Sequence, residues 1–507
     1  MKNISQRRFR ISTATLDLIL LIGGFLTLYS ACWLVPYLFT DDYANLAASF
    51  RGTLKESLEL VVAGGRSIYA ISLLTAFSLM DSFSSLRILR LISIVGIAIT
   101  SWLIYLNLCS AGWKRKNSLV GAYLIGTLPA FQVYASWAVA FIFPWATAIT
   151  AISVQCLEFK SETLLRKKIL FVSLATLILI LSLNIYQPAA MFFWVFAAIK
   201  IFIKYKNDFE SQLKKLFYYL IVYVTALSAA FLILKLTEMS INQHSSRAEI
   251  INNFYDILSK IKWFILYPLV DSANFVNINA SYLVAFLVLS LMIIGSFFYL
   301  EGTLFRKLTL LGISLLFIIF SYTPNLVVTS SLPSYRTQVA LAALLLLFFY
   351  LSMEGLIKPF QNSDRHYRFQ NLCLALILPV FSIWSMYNVI VTIVIPQFTE
   401  LANIRMQLPV NKLESADKIY YIVPEETNIL TTPMSPIRKY DEFGLPSSVA
   451  TWAQKNSVYI VLHEISPKHE NIPIEVINEN YKMSRGNDSL IIYNSKLWSL
   501  ESFFYNK

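Results

Sequence analysis

The chain has 507 residues, of which 56% are hydrophobic and 15% aromatic, whereas only 14% are charged. Soluble domains carry about 25% charged residues, so this composition excludes an ordinary soluble protein and predicts a multi-pass membrane protein. The net charge is +12, but the basic residues are scattered in short segments between apolar runs. There they set the orientation of membrane helices and form no surface for nucleic acid, which is not an expected partner.

The first apolar run extends from about residue 15 to residue 38, after a basic N-terminus. It is too long for the core of a signal peptide and lacks a small-residue cleavage site. We therefore expect a retained first transmembrane helix whose N-terminus is cytoplasmic.

Further apolar runs follow along the chain, and a membrane-spanning helix needs about 20 apolar residues. The candidates are 88–110, 118–135, 138–157, 169–186, 188–203, 216–236, 281–300, 308–326, 337–356 and 372–395. The sequence thus predicts an all-α polytopic body with about eleven transmembrane helices. This topology collects nearly all short-loop Lys and Arg on the cytoplasmic side and places the C-terminus outside.

Two predicted outer loops, residues 39–87 and 237–280, are longer than a connection requires. In the first, an amphipathic stretch over 44–62 and a Ser-rich apolar stretch over 68–86 predict two helices on the membrane surface. In the second, apolar residues at helical spacing predict an amphipathic helix over 247–266.

The composition becomes mixed and polar after residue 395. Short β-branched and aromatic runs at 419–423, 458–462 and 490–493 predict strands, because turns containing Pro or Gly separate them. Residues 1–395 are therefore expected to form the membrane body, and residues 396–507 a small extracytoplasmic α/β domain. The latter has no phosphate-loop motif and no evident nucleophile triad.

Two adjacent carboxylates, Asp41 and Asp42, follow the first apolar run at the predicted extracytoplasmic boundary of the membrane. One interpretation is structural, because Thr40 or Asp41 at the start of the next helix would bind its free backbone N–H groups. The other is catalytic, because arginines predicted on the same side suit a phosphate beside an acidic general base. These arginines favour the catalytic interpretation.

Other residues on the predicted outer side are candidates for the same site. They are Arg51, Arg66, Trp137, Tyr186, Gln187, Tyr335 and Arg336. Several also have a structural interpretation. The two glycines before Arg66 suit a hinge, Pro188 suits the start of a helix, and Trp137 suits the aromatic belt of a membrane interface. Arg336 likewise suits an interfacial anchor.

The acidic pair after the first span, Gly65-Arg66, the Tyr186-Gln187 turn and the polytopic body resemble the bacterial O-antigen glucosyltransferases of the serotype-conversion type, members of the GT-C class. The resemblance covers about residues 10 to 350 and is carried mainly by order and topology. It implies an inverting hexosyltransferase of the bacterial inner membrane, with glucose as the expected sugar. Such an enzyme takes the sugar from a polyprenyl-phosphate carrier and adds it to a polysaccharide or lipid-linked glycan on the periplasmic side.

The resemblance also implies roles for individual residues. Asp41 or Asp42 would be the general base, and the other would orient the acceptor or help to hold a divalent cation. Arg66 and Arg336 would neutralise the phosphate of the donor. The expected substrate contacts are Arg51, Trp137, Tyr186, Gln187 and Tyr335. The His and Cys residues show no metal-ligand spacing, so no metal cluster is expected.

Three other functions remain open at this stage. They are a GT-C transferase for another sugar, a transporter or flippase of lipid-linked sugar, and a polymerase or ligase of surface polysaccharide. Transporters usually carry ionisable residues at mid-membrane and internal repeats with broken helices, whereas here the strong charges lie at one boundary. The early acidic pair and the two-helix first loop favour the transferase over a polymerase or ligase.

Overall fold

The computed structural model describes residues 13–159, 164–206, 208–242, 249–278, 281–357, 364–423, 442–478 and 489–493. Within these ranges, eight helices are long and apolar enough to cross a membrane. They are Phe83–Ser110, Ala138–Cys156, Leu165–Ile185, Gln187–Lys204, Phe209–Ile241, Ser281–Tyr299, Val339–Ile357 and Leu376–Met406. The protein is therefore a mostly helical, multi-pass membrane protein, as its composition predicts.

The difference from the predicted count of about eleven spans lies in three of the apolar runs. The run over 118–135 forms two helices, Arg115–Gly126 and Pro129–Ser136, which meet at an angle of 61° and make one further span if counted together. Leu128 is extended because a residue before proline is driven out of the helical region. The runs over 15–38 and 308–326 form helices Thr13–Leu28 and Leu304–Phe320, which have 16 and 17 described residues.

The remaining helices are shorter. In the first predicted loop they are Asp41–Phe50, Leu54–Ser57, Glu59–Ala63, Ser67–Phe77 and the 3-10 turn Phe83–Leu86. Elsewhere they are Ser30–Leu34, Phe254–Leu266, Pro268–Ala273, Thr323–Leu326, Tyr335–Thr337, Val410–Leu413, Ser447–Val449, Thr451–Ile465 and Pro467–His469. The first loop is thus helical, but in shorter pieces than the two helices predicted.

The helix Phe254–Leu266, here called the surface helix, lies in the second predicted loop and begins where the Asn253 side chain accepts the Asp256 N–H at 2.8 Å. Residues 243–248 lie outside the described residues, so the predicted helix start at 247 does too. One face exposes large apolar side chains, among them Phe254, Ile257, Leu258, Ile261 and Ile265. The opposite side buries Lys260, whose Nζ donates to Ser331 Oγ at 3.0 Å.

The C-terminal region contains a parallel sheet of three strands in the order β2-β1-β3. The strands are β1 Lys418–Val423, β2 Ile474–Asn478 and β3 Ser489–Tyr493. Ile419 of β1 pairs with Ile474 and with Leu490. The predicted strands over 419–423 and 490–493 are confirmed.

The predicted strand over 458–462 is wrong, because these residues belong to the helix Thr451–Ile465, here called the domain helix. Parallel strands require a long crossover, usually a helix, and the apolar run of the domain helix packs against β1 and β2. The strand β2 was not predicted. The candidate membrane span Leu376–Met406 includes residue 396, so the predicted start of the C-terminal domain falls inside this helix.

Two glycines allow the helices Ser281–Tyr299 and Val339–Ile357 to pack closely. A Cβ atom at Gly295 would overlap the carbonyl oxygen of Ser352, and one at Gly355 would overlap the carbonyl oxygen of Gly295. The hydroxyls of Ser296 and Ser352 lie 2.9 Å apart across the same contact. Such close approach stabilises helix pairs in lipid, where apolar surfaces alone give little driving force for association.

We expect Gly295→Ala to lower the stability of the protein by about 1–3 kcal/mol, because the added methyl group forces this helix pair apart. The matched control is Gly312→Ala in the helix Leu304–Phe320, where a Cβ atom would meet nothing within 4 Å. Thermal unfolding of the purified protein in detergent measures both. Equal unfolding midpoints for the two variants would contradict the packing described.

Candidate functional site

A cavity of about 550 Å³ lies at one end of the helical body. Its wall comes from the turn at Gly64–Arg66, the start of the helix Gln187–Lys204, the middle of the helix Phe209–Ile241 and the segment from Thr323 to Thr337. The polar lining includes Arg66, Gln187, Ser228, Asn325, Ser330 and Arg336. The apolar lining includes Leu183, Leu227, Phe231, Leu234, Val327 and Leu332. The cavity is therefore amphiphilic.

The turn that carries Arg66 depends on Gly65. Gly65 has φ +72°, a left-handed conformation that glycine adopts without strain. A Cβ atom there would lie 3.0 Å from the side chain of Leu234, so glycine also allows the turn to approach the helix Phe209–Ile241. Gln187 Nε2 donates to the Gly64 carbonyl oxygen at 3.1 Å. Gln187 thus both lines the cavity and fixes the turn beside it.

Arg336, in the part of the wall formed by the segment from Thr323 to Thr337, is held from several directions. Its guanidinium lies over the Trp137 ring, 4.5 Å from the centroid, and 3.5 Å from the Glu442 carboxylate. The backbone N–H of Arg336 donates to the same carboxylate at 3.0 Å, and the hydroxyl of Tyr134 donates to its carbonyl oxygen at 2.8 Å. The Arg336 side chain is only 12% exposed, so these neighbouring groups fix its position.

The structure brings four of the predicted residues, Arg66, Tyr186, Gln187 and Arg336, into this one cavity. Tyr186 is buried and stacks on Phe143, with ring centroids 4.0 Å apart. Its position between Phe143 and the cavity follows from the extended backbone between two consecutive helices.

Three predicted substrate contacts lie outside the cavity wall. Trp137 and Tyr335 are 2% and 1% exposed and stand behind Arg336, where Tyr335 donates its hydroxyl to Asn277 Oδ1 at 2.8 Å. Arg51 lies at the other end of the helix Asp41–Phe50, above the Tyr459 ring at 3.9 Å. Trp137 and Tyr335 do not line the cavity because both rings are packed in the core beside Arg336.

Asp42 is fully buried and forms an ion pair with Arg90, with Oδ2 and Nη2 3.3 Å apart. The carboxylate also accepts the backbone N–H groups of Phe39 at 3.1 Å and of Val139 at 3.0 Å. Burial raises the pKa of Asp42 to about 6, while Arg90 and the N–H donors oppose a larger rise. Removing one partner of a buried pair typically costs about 3–5 kcal/mol.

Asp41 has a different environment from its neighbour. It is half-buried, and its Oδ1 accepts the indole N–H of Trp452 at 2.8 Å. The phenol of Tyr69, which is 6% exposed, has a pKa that both Asp41 and the cavity residue Arg66 influence. Burial raises the pKa of the Tyr69 phenol, the Asp41 carboxylate raises it further, and Arg66 lowers it. The same phenol is thus affected by Asp41, which does not line the cavity, and by Arg66, which does.

The structural interpretation, in which Thr40 or Asp41 caps the next helix, agrees with the position of Thr40 but not with its hydrogen bonds. Thr40 is the N-cap residue of the helix Asp41–Phe50, but its side chain accepts no backbone N–H of that helix. Its φ is +37°, which is rare for a β-branched residue. The Thr40 N–H donates instead to Ser447 Oγ at 2.7 Å, so the C-terminal region holds the chain in this strained conformation.

Several polar residues of the cavity were not predicted from the sequence, and Asn325 is the most informative of them. Asn325 lines the cavity, and its Nδ2 is buried without a hydrogen-bond partner among the described residues. A buried amide donor without a partner costs about 1–3 kcal/mol, which a ligand oxygen in the cavity would offset. The signal available in the sequence was the Thr-Pro-Asn turn that follows an apolar run.

Within the described ranges, no three His, Cys, Asp or Glu side chains cluster as metal ligands.

No family model matches the chain, and no curated protein shows significant sequence similarity to it. A functional assignment therefore depends on the chemistry of the cavity and of the residues around it.

The Asp42 environment predicts a defined pH dependence of stability. Between about pH 4 and pH 6 the folded protein holds a proton on Asp42 that the unfolded chain, with an aspartate pKa of about 3.9, releases. Because the folded pKa is the higher one, Asp42 stabilises the fold increasingly as the pH falls through this window, by about 1 kcal/mol per pH unit. Above about pH 6 this contribution is lost.

The test compares thermal unfolding of the wild type with Asp42→Asn, which cannot titrate, across pH 4 to 7 in detergent. The stability of the wild type relative to the variant should increase as the pH falls below about 6. The exposed Asp81→Asn serves as control. A difference between wild type and Asp42→Asn that is constant over this range would contradict the assignment.

Proposed function

We propose that the protein is a membrane glycosyltransferase of the GT-C class that moves a hexose from a polyprenyl-phosphate carrier to a surface glycan. The observation that carries the proposal is the amphiphilic cavity, which combines Arg66 and Arg336 with an apolar helix wall. A lipid-linked sugar phosphate has the matching chemistry, with an anionic head and a long apolar tail. An enzyme that uses such a donor needs no nucleotide-binding fold.

The phosphate of the donor would be bound by the two arginines. Guanidinium groups form bidentate, charge-assisted hydrogen bonds with phosphate oxygens, and such bonds strengthen in a partly dry site. Asn325 adds a buried N–H donor without a described partner on the same cavity wall. These groups suit both the bound donor and the charge that develops on the leaving phosphate.

The tail of the donor would leave along the helix Phe209–Ile241. Leu227, Phe231 and Leu234 of this helix line the cavity, while Leu232 and Leu236 of the same helix are 59% and 58% exposed. An exposed apolar surface on a candidate membrane span suits contact with lipid. Phe231, which lines the cavity, is itself 43% exposed, so an isoprenoid chain that starts in the cavity would pass this ring on its way to the bilayer.

We assign the general base to Asp41 and a structural role to Asp42. Asp42 is fully buried in its pair with Arg90, whereas Asp41 is half-buried and, like Arg66 in the cavity wall, affects the pKa of Tyr69. Asp41 would take the proton of the acceptor hydroxyl as its oxygen bonds to the anomeric carbon. The bond from that carbon to the phosphate oxygen breaks, polyprenyl phosphate leaves with the electron pair, and the anomeric configuration inverts.

The cavity is proposed to face the extracytoplasmic side of a bacterial inner membrane. The helix Gln187–Lys204 starts at the cavity and has 18 residues, which span about 27 Å at 1.5 Å per residue, close to the thickness of the hydrocarbon layer. At its other end the backbone carbonyl of Lys206 accepts a hydrogen bond from Arg306, and Lys215 lies 3.7 Å from Glu158. This basic end suits the cytoplasmic side.

We expect Asp41→Asn to lower sugar transfer by a factor of about 10² or more, because general base catalysis typically contributes that much. The assay follows transfer from a polyprenyl-phosphate sugar to surface polysaccharide in isolated membranes, at equal protein levels. Glu56→Gln, an exposed change in the same loop, is the control. Full activity of Asp41→Asn would remove this residue from the proposed mechanism.

For Arg66→Ala we expect the donor KM to rise roughly tenfold to a hundredfold, since a hydrogen bond to a charged group contributes about 1.5–3 kcal/mol. Arg87→Ala is the matched control, because Arg87 is exposed and donates to the Ser84 carbonyl oxygen at 2.8 Å. An unchanged donor KM in Arg66→Ala would leave the Gly64–Arg66 turn with a purely structural role.

A further inference from the structure

A second depression, of about 460 Å³, lies between the helix Asp41–Phe50 and the C-terminal region. It is lined by Phe50, Arg51, Lys455, Tyr459, Glu470 and Asn471, together with two isoleucines. We refer to it as the distal groove. None of its residues lines the amphiphilic cavity, and the proposed transfer reaction does not use it.

We propose that the distal groove binds the acceptor glycan, several sugar units away from the hydroxyl that receives the new sugar. This inference rests on the proposed function, because it gives the acceptor of that reaction a second point of attachment. It names the acceptor class as an extended oligosaccharide rather than a single sugar.

The first argument is the position of the groove relative to Asp41. Asp41 begins the helix Asp41–Phe50, and Arg51 follows its last residue. Ten residues at 1.5 Å each place the groove about 15 Å from Asp41 along the helix axis. This distance exceeds the length of one sugar ring, so only an oligosaccharide can contact both places.

The second argument is the face of the domain helix that runs beside this path. Trp452 donates its indole N–H to Asp41, Asn456 accepts from Arg51 Nη1 at 3.0 Å, and His463 stacks on Phe50 at 4.1 Å. The two helices therefore run side by side in the same direction from Asp41 to the groove. Trp452 is 47% exposed, and an exposed indole ring suits contact with the apolar face of a sugar.

The third argument is the chemistry of the groove. Lys455 and Asn471 line the groove with exposed polar side chains. The Glu470 carboxylate accepts a hydrogen bond from His463 Nδ1 at 2.6 Å, which orients it. Donors and acceptors of both kinds around a shallow depression suit the hydroxyls of a glycan chain.

The test uses the purified full-length protein and oligosaccharides of one to four repeat units, released from the surface polysaccharide that it modifies. The double variant Lys455→Ala/Asn471→Ala should raise the acceptor KM roughly tenfold for the longer oligosaccharides and leave it unchanged for a single repeat unit. The donor KM and kcat should stay as in the wild type. Lys468→Ala, an exposed lysine that pairs with Glu414 at 3.3 Å, is the control.

Calorimetric titration with the same oligosaccharides, without donor, measures binding independently of transfer. Loss of affinity in the double variant for long oligosaccharides only supports the inference. Equal acceptor KM and affinity in the variant and the wild type at every length would overturn it, while the donor site would stand. Equal losses for short and long oligosaccharides would indicate a general structural defect and would also overturn it. Absence of any transfer with any donor would overturn the proposed function, and the inference with it.

Discussion

The buried ion pair between Arg90 and Asp42 connects segments that are distant in the sequence. Arg90 lies over the Tyr37 ring at 3.7 Å and donates to the Tyr37 carbonyl oxygen, while Asp42 accepts the N–H of Val139. Two spans and the start of the first loop helix thus meet at one buried charge pair. A buried carboxylate remains ionised only where such donors compensate its lost hydration. Because Asp42 is fixed in the first turn of the helix, the direction of Asp41 is fixed too.

The C-terminal region contacts the residues of the candidate site directly. Within a short segment, Glu442 binds the backbone of Arg336, Ser447 accepts the N–H of Thr40, and Trp452 binds Asp41. Glu400 in turn accepts the N–H groups of Ser447 and Ser448 at 2.9 Å and 3.1 Å, which ties this segment to the end of the last membrane helix. The two proposed chemical centres, the phosphate-binding arginines and the acid, are therefore held by the same stretch of chain.

Hydropathy predicted much of this architecture because it reports which segments are apolar and where they end. Residues at the ends of such segments, among them Arg66, Gln187 and Arg336, do gather in one cavity. Hydropathy does not report which way a side chain points. Asp41 and Asp42 are adjacent in sequence but about 100° apart around a helix, so one is buried and the other is half-exposed. Similarly, the β-branched run at 458–462 suits a strand by propensity, yet tertiary packing places it in a helix.

The pairing of Arg336 with Glu442 has a consequence for the order in which the protein is made. The two residues are 106 positions apart in sequence, and ribosomes deliver membrane helices to the bilayer from the N-terminus onward. When the helix after Arg336 has been inserted, the carboxylate that holds its turn has not yet been synthesised. The arginine-bearing wall of the cavity is therefore completed among the last events of biogenesis, and a chain that ends before residue 442 would carry the membrane helices without that support.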